Sequence, residues 1–210
     1  MPKFTMKNYA RYLKGRAEDY DKRTIMSYFC RVPSDRKIVP LLSGLTDKKI
    51  LDVGVGTGYY SRLLTGKNTV VGIDQNPHLC RLPITVHKGD ATELALLVGD
   101  EKFDVVLSTW MTEYLNPLQV DAFFSEARRV LVPNGRLITT MISKYGFGWL
   151  YIAAGRRLRG IDKYNYRRKD VIERLKQARF ARVEVVSLDS WLRIPWAYMA
   201  IAEVAGLGNQ

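Results

Sequence analysis

Cysteine and histidine are scarce in this chain of 210 residues, with two of each. Cys30 and Cys80 cannot build a disulfide framework or a four-cysteine zinc site. They are read either as one lone disulfide or as two free buried thiols. His78 and His87 exclude a histidine-rich metal centre, and no carboxylate cluster suggests a catalytic metal. Long uncharged apolar runs are missing too. The best stretches, Tyr145 to Gly155 and Ile194 to Ala202, fall short of the roughly 20 residues of a membrane-spanning helix. Residues 1–15 are mixed polar and basic, with no signal-peptide core, so a cytoplasmic location is expected. No repeat period or low-complexity tract is visible. Acidic residues are outnumbered, 21 against 33 basic ones, and the net charge is +12. The apolar share of 47% excludes intrinsic disorder and supports one folded domain over residues 1–210.

The chain reads as helix with breaks up to residue 48, including Asn8 to Lys14 and Thr24 to Arg31. Ser34 resembles an N-cap for a helix that Pro40 must bend or end near Leu42. From Lys49 the pattern becomes alternating. Short apolar strands are expected at Lys49 to Val53, Thr69 to Ile73, Ile84 to His87, Phe103 to Ser108 and Arg136 to Ile142. Helices are expected at Thr57 to Thr65, Asn76 to Arg81 and Leu118 to Leu131, the last stopped by Pro133-Asn134-Gly135. This alternation implies right-handed crossovers and a mostly parallel sheet covered on both faces. After a further helix at Lys169 to Ala178, strands are expected at Arg182 to Ser187 and Trp196 to Val204. No helix-length segment separates those two, so they are expected to pair antiparallel.

The run Leu51-Asp52-Val53-Gly54-Val55-Gly56-Thr57-Gly58-Tyr59-Tyr60 follows a strand and is expected to open a helix. Glycines there allow a sharp turn and close approach to a ligand, and free N–H groups at a helix start favour a polar or anionic group. Alone, the run is compatible with a simple tight turn. Asp74 stands at the end of the next strand, where a carboxylate can accept from the vicinal hydroxyls of a ribose. Asp90, in Gly89-Asp90-Ala91-Thr92, stands at the end of the third, where it can accept from an adenine amino group. Each aspartate can also be a helix N-cap. Together they describe an adenosine pocket at the carboxyl ends of consecutive strands. The glycine spacing is Gly-x-Gly-x-Gly, one residue short of the dinucleotide fingerprint Gly-x-Gly-x-x-Gly. Asp90 has no standard role in that fingerprint.

These segments resemble the class I S-adenosylmethionine-dependent methyltransferases. Asp52 to Gly58 is similar to their first motif, Gly72-Ile73-Asp74-Gln75-Asn76-Pro77 to the second and Gly89 to Leu94 to the third. Phe103 to Trp110 and Val130 to Leu137 resemble the fourth strand and the entry to the fifth. The resemblance implies a seven-strand α/β sheet with a C-terminal antiparallel pair, and S-adenosyl-L-methionine as cofactor. It implies that Gly54, Gly56 and Gly58 line the methionine part and that Asp52 helps hold its amino group. Asp74 with Gln75 would serve the ribose, and Asp90 with Ala91 the adenine. Thr109 and Trp110 would flank the methionine and the transferring methyl, although Trp110 reads equally as a packed core aromatic. Tyr20 resembles an N-terminal position that closes over the cofactor. Many family members acting on small molecules carry a His pair after the fourth strand. This chain has Glu113-Tyr114 there, which leaves the catalytic residue unknown. Glu113 reads as a base, as a ligand for a cationic amine, or as a solvated carboxylate at a helix start, the last being favoured.

Divided by region, the charge is +7 over residues 1–50, −2 over 51–142, +6 over 143–168 and +1 over 169–210. The excess sits on an N-terminal helical cap (1–48) and on an aromatic, basic insertion (143–168). Tyr145, Phe147, Trp149, Leu150, Tyr151 and Ile152 run there into Arg156, Arg157, Arg159, Lys163, Arg167 and Arg168. Such a segment can cover a small or lipid-like, partly apolar or anionic acceptor and touch a membrane surface peripherally. It can also be an amphipathic lid packed on the core with solvated arginines. A third reading is a clamp on single-stranded RNA, which makes an RNA methyltransferase the alternative function. A cofactor-binding but inactive regulatory protein is disfavoured by the complete set of cofactor motifs.

Overall fold

The computed structural model describes residues 31–159, 162–189 and 192–206. Tyr20, Cys30, the helix expected at Asn8 to Lys14 and all but the end of that at Thr24 to Arg31 lie outside the described residues. Cys80 is a free, half-buried thiol.

All seven expected strands form, and they make one sheet. They are β1 (Lys49–Val53), β2 (Thr69–Asp74), β3 (Thr85–Lys88), β4 (Phe103–Ser108), β5 (Leu131–Ile142), β6 (Arg182–Asp189) and β7 (Pro195–Glu203), in the order β3-β2-β1-β4-β5-β7-β6. The first five run parallel to one another. β7 runs antiparallel to both β5 and β6. Only a few residues separate β6 from β7, too few for a crossover, so the chain must return beside itself.

The helices are α1 (Val32–Ser43), α2 (Leu94–Val98), α3 (Pro117–Val130), α4 (Phe147–Arg159) and α5 (Arg168–Gln177). The period-2 alternation of the strands divides their side chains between two cores. Leu51, Val53 and Val106 face a core with Leu94 of α2, Phe123 and Phe124 of α3 and Leu175 of α5. Ile50, Val105 and Leu107 face the other, with Ile38 and Leu42 of α1 and Ile152 of α4. Both faces are thus covered, as parallel sheets require. α3 begins at a capping box: the Asn116 side chain accepts from the Gln119 N–H, and the Gln119 side chain accepts from the Asn116 N–H.

Several expected helices differ. Ser34 is not a cap; it lies inside the first turn of α1, where its Oγ accepts from Trp196 Nε1 at 2.9 Å. Pro40 does not end α1, which continues to Ser43. The helix expected over Thr57 to Thr65 is a single 3-10 turn, Ser61–Leu63, and that at Asn76 to Arg81 is another, Pro77–Leu79. The short hydrogen bonds of the glycine turn consume the residues that would have started the first helix. β5 begins earlier than expected, at Leu131. Its Pro133-Asn134-Gly135 stretch bulges out between the pairs Phe103↔Leu131 and Val105↔Arg136, with Asn134 at φ +60°.

Candidate active site

The carboxyl ends of β1, β2, β3 and β4 open onto one cavity of about 190 Å³. Its wall includes Gly54 and Gly56 after β1, Asp74 and Gln75 from β2, Asp90 and Ala91 after β3, and Thr109 and Trp110 after β4. The structure therefore brings together eight of the eleven residues expected to serve a cofactor. Asp52 and Gly58 are not on the wall, and Tyr20 lies outside the described residues.

The glycine turn is built by backbone conformation. Gly54 has φ +76°, and a Cβ there would sit 2.5 Å from the Met111 side chain, so only glycine lets the β4 turn close against it. Gly56 has φ +53°, and a Cβ there would meet only Gly54 O at an unstrained 3.9 Å, so it is the backbone twist that needs glycine. The amides of this turn are not free as expected. The Gly54 and Val55 N–H groups donate to Ile73 O, the Gly56 N–H to Asp74 Oδ2 at 2.9 Å, and the Gly58 N–H to Val55 O. A pyrophosphate cradle needs free N–H groups, so this turn is unsuited to one.

The carboxylates dominate instead. Asp74 Oδ1 accepts from the Asn76 N–H at 2.7 Å. Asp90 Oδ1 accepts from the N–H and hydroxyl of Thr92, and Oδ2 accepts from Gln75 Nε2 at 2.7 Å. Asp90 is therefore a cap as well as a cavity residue, and each oxygen keeps further acceptor capacity. Beneath them Asp52 is buried. Its Oδ2 accepts from Ser61 Oγ, while Oδ1 is buried with no partner among the described residues. Burial, reinforced by the nearby Asp74 charge, pushes its carboxyl up to about 7, against the Ser61 hydrogen bond. Among the described residues no lysine, arginine or histidine lines the cavity. A strongly basic chain thus surrounds an acidic pocket, which suits a cationic ligand.

Trp110 forms the opposite wall at φ +57°, a strained conformation for a bulky residue. It is held by the bond from its N–H to Thr140 Oγ1 (2.7 Å), and Thr112 Oγ1 donates to Thr140 O in turn. The indole Nε1 donates to Tyr60 OH at 2.9 Å, and the ring stacks on Trp196 at 4.8 Å between centroids. Trp110 is therefore packed against the core and on the cavity wall at once. Tyr60, Thr140, Met111, Trp196 and Gln119 were not expected here. Tyr60 and Met111 adjoin expected residues in the sequence, and Gln119 follows Asn116 at capping-box spacing, whereas Thr140 and Trp196 come from strands that only the fold brings here.

Glu113 corrects an expectation. It is not solvated but 3% exposed, and its Oε1 pairs with Lys163 Nζ at 3.4 Å. Lys163 also donates to Tyr151 OH at 2.7 Å and lies over the rings of Tyr114 and Tyr151. Lys163 was expected among the basic residues of the insertion, and the fold buries it. Tyr114 lines the cavity; Glu113 does not. Two further bonds reinforce this join, the backbone Tyr164 N–H donating to Glu113 O and the Tyr166 hydroxyl to Leu115 O, both 2.7 Å. The insertion is thereby locked onto the turn after β4. The aromatics do not all pack inward, because Tyr145, Trp149 and Leu150 are exposed. The side chains of Arg156, Arg157 and Arg159 lie outside the described residues. Among the described residues no group of side chains could hold a metal ion, and no helix is long and apolar enough to cross a membrane.

Sheet order and cavity define a class I methyltransferase fold, and residues 51–139 match the family described as Methyltransferase domain. That segment carries the likeness to the class I S-adenosylmethionine-dependent methyltransferases. It is 30% identical to Ubiquinone biosynthesis O-methyltransferase of Histophilus somni, over 54% of this chain and 52% of that protein. It is 28% identical to Demethylmenaquinone methyltransferase of Tropheryma whipplei, over 60% of this chain and 56% of that protein. The chain spans about half the length of these curated relatives. Its fold is shared with magnesium protoporphyrin IX methyltransferase from Synechocystis with bound S-adenosylhomocysteine. That match has a TM-score of 0.64 and 18% identity, and covers 95% of this chain and 94% of that one.

Proposed function

We propose that this chain transfers the methyl group of S-adenosylmethionine to a small, partly apolar or lipid-like acceptor. The observation that carries the cofactor is the acidic cavity. S-adenosylmethionine carries net positive charge and presents hydrogen-bond donors on its ribose and adenine, and the wall offers Asp74 and Asp90 as acceptors with no basic side chain beside them among the described residues. The unpartnered Oδ1 of Asp52 fits the same ligand, because a buried acceptor without a donor is costly until one arrives. Asp74, with Gln75 beside it, would receive the ribose hydroxyls. Asp90 and Ala91 would receive the adenine, and Asp52 would act towards the ammonium group across Gly54, Gly56 and Gly58. Bound there, the cofactor supplies a methyl already activated by the positive sulfur.

The chain's part is then positioning and exclusion of water. Trp110, Met111, Tyr114 and Leu115 form an apolar wall after β4, beside the insertion that would cover an acceptor. Glu113 is committed to Lys163 and stands off the wall, so no proton removal is assigned to it. The names of the relatives support an acceptor related to the quinones, a ring compound with apolar character. The test is transfer from radiolabelled S-adenosylmethionine into a cell extract separated into lipid, small-molecule, RNA and protein pools. Label is expected in the lipid or small-molecule pool; label in RNA alone would overturn the acceptor reading.

A further inference from the structure

Two segments far apart in sequence expose apolar side chains at one place on the molecule. In the first, Tyr145, Trp149 and Leu150 are 59%, 56% and 50% exposed. In the second, ahead of β7, Leu192 and Ile194 are 62% and 39% exposed. Glycines weld the two together. A Cβ on Gly146 would stand 3.0 Å from Ile194 Cγ2, and one on Gly148 would stand 2.5 Å from Trp196 O. The first turn of α4 thus presses its backbone on the start of β7, while Ile152, one turn further on, is buried in the core. The outward side chains are held by a rigid base.

Positive charge predominates beside them in the sequence: residues 143–161 carry Lys144, Arg156, Arg157 and Arg159, and Arg193 stands between Leu192 and Ile194. The flanking carboxylates are Asp162 and Asp189, the latter paired with Lys37 at 3.6 Å. Lys144 and Arg193 are exposed beside the apolar residues. The patch also adjoins the cavity. α4 leaves the carboxyl end of β5, and the pair Ile142↔Ala197 sets the start of β7 beside that end. Trp196, two residues after Ile194, stacks on Trp110 of the cavity wall, with Tyr151 of α4 against its edge at 6.0 Å between centroids.

We infer that Tyr145, Trp149, Leu150, Leu192 and Ile194 form a docking surface for an anionic lipid bilayer, placed beside the mouth of the methyl-transfer cavity. Aromatic and aliphatic side chains enter the interfacial region, and Lys144 and Arg193 beside them meet the headgroups. The position of the patch would let an apolar acceptor pass from the bilayer to Trp110 without crossing water. That route rests on the proposed methyltransferase function, whereas docking is measured without any acceptor.

The experiment is co-sedimentation of the full chain with vesicles of phosphatidylcholine alone, and with vesicles of phosphatidylcholine and phosphatidylglycerol in equal parts. S-adenosylhomocysteine affinity is measured by calorimetry on the same samples. Binding to anionic vesicles is expected to exceed that to neutral ones by roughly tenfold or more. It should come with a blue shift of tryptophan emission that Trp149→Phe diminishes. Trp149→Asp with Leu150→Asp, and separately Leu192→Asp with Ile194→Asp, should each cut vesicle binding at least roughly tenfold and leave cofactor affinity unchanged. These exposed positions tolerate charge without unfolding, which circular dichroism checks. Equal binding to both vesicle types, or retention by both double variants, would overturn the proposal. So would a dimer that the double variants dissociate, since a second copy would then cover the patch, or binding to single-stranded RNA with none to vesicles. Loss of cofactor affinity in the unmodified chain would instead strike the proposed function.

Discussion

The cavity and the cap beside it are opposites in charge and in construction. The cavity is acidic, concave and made of turns at the ends of adjacent strands, with Asp74 and Asp90 on its wall and Asp52 beneath. The cap is basic and presents aromatic residues outward from a helix whose base is welded to β7. A net charge of +12 therefore describes neither region. Charge at the cavity acts on a ligand held at short range in a partly buried site, where salt screens little. Charge on the cap acts on a surface partner through water, where salt screens strongly. The two regions meet at one buried ion pair, Glu113 from the cavity turn and Lys163 from the cap.

That join offers the largest effect. Lys163→Met leaves Glu113 buried without its cation, and should cost about 3–5 kcal/mol of stability in chemical denaturation. Adding Glu113→Gln to it should recover most of the loss, because no charge is then left behind. If the single variant unfolds at the same denaturant concentration as the unaltered chain, the pair does not hold the regions together. Next comes the cavity itself. Asp74→Ala should weaken S-adenosylhomocysteine binding by about 1.5–3 kcal/mol, read by calorimetry, the scale of a hydrogen bond to a charged group. Unchanged affinity would remove Asp74 from the proposed ribose site.

Asp52 makes the comparison sensitive to pH. Its carboxyl titrates near 7 in the fold because burial disfavours the ion, well above its value in the unfolded chain. The stability this raised value contributes is full at acid pH, falls as pH climbs from the ordinary aspartate range to about 7, and is gone above. Affinity for S-adenosylhomocysteine, whose ammonium favours the ionised carboxylate, should move the opposite way. It should rise with pH up to about 7, by at most roughly tenfold per unit, and then level. Asp52→Asn should flatten both profiles; a slope that survives in the variant would assign the titration elsewhere. The smallest effect sharpens the contrast most directly. Raising the salt concentration should strip the chain from anionic vesicles while changing cofactor affinity by less than about twofold. Equal salt dependence of the two would erase the distinction between cavity and cap.

The sequence by itself determined the sheet, the order of its strands' roles and eight of the residues on the cavity wall. Strand phase and turn chemistry are local: apolar alternation repeats every two residues, and glycine or aspartate at a strand end marks a turn whatever lies across from it. Gly54, Asp74 and Asp90 were legible for that reason, and so was the antiparallel return between β6 and β7, from the shortness of the link. Tertiary structure decided what depends on distant partners. The glycine-turn amides were expected to face a ligand, but Ile73, Val55 and Asp74 accept them once β1 and β2 pair. Trp110 takes a strained backbone because Thr140 of β5 holds it and Trp196 of β7 stacks on it. Glu113 is buried because a lysine of the insertion reaches it, and Trp149 is exposed because Gly146 and Gly148 set the face that α4 turns inward. Burial, pairing and strain are properties of which surfaces meet, and a local pattern of residues does not carry that information.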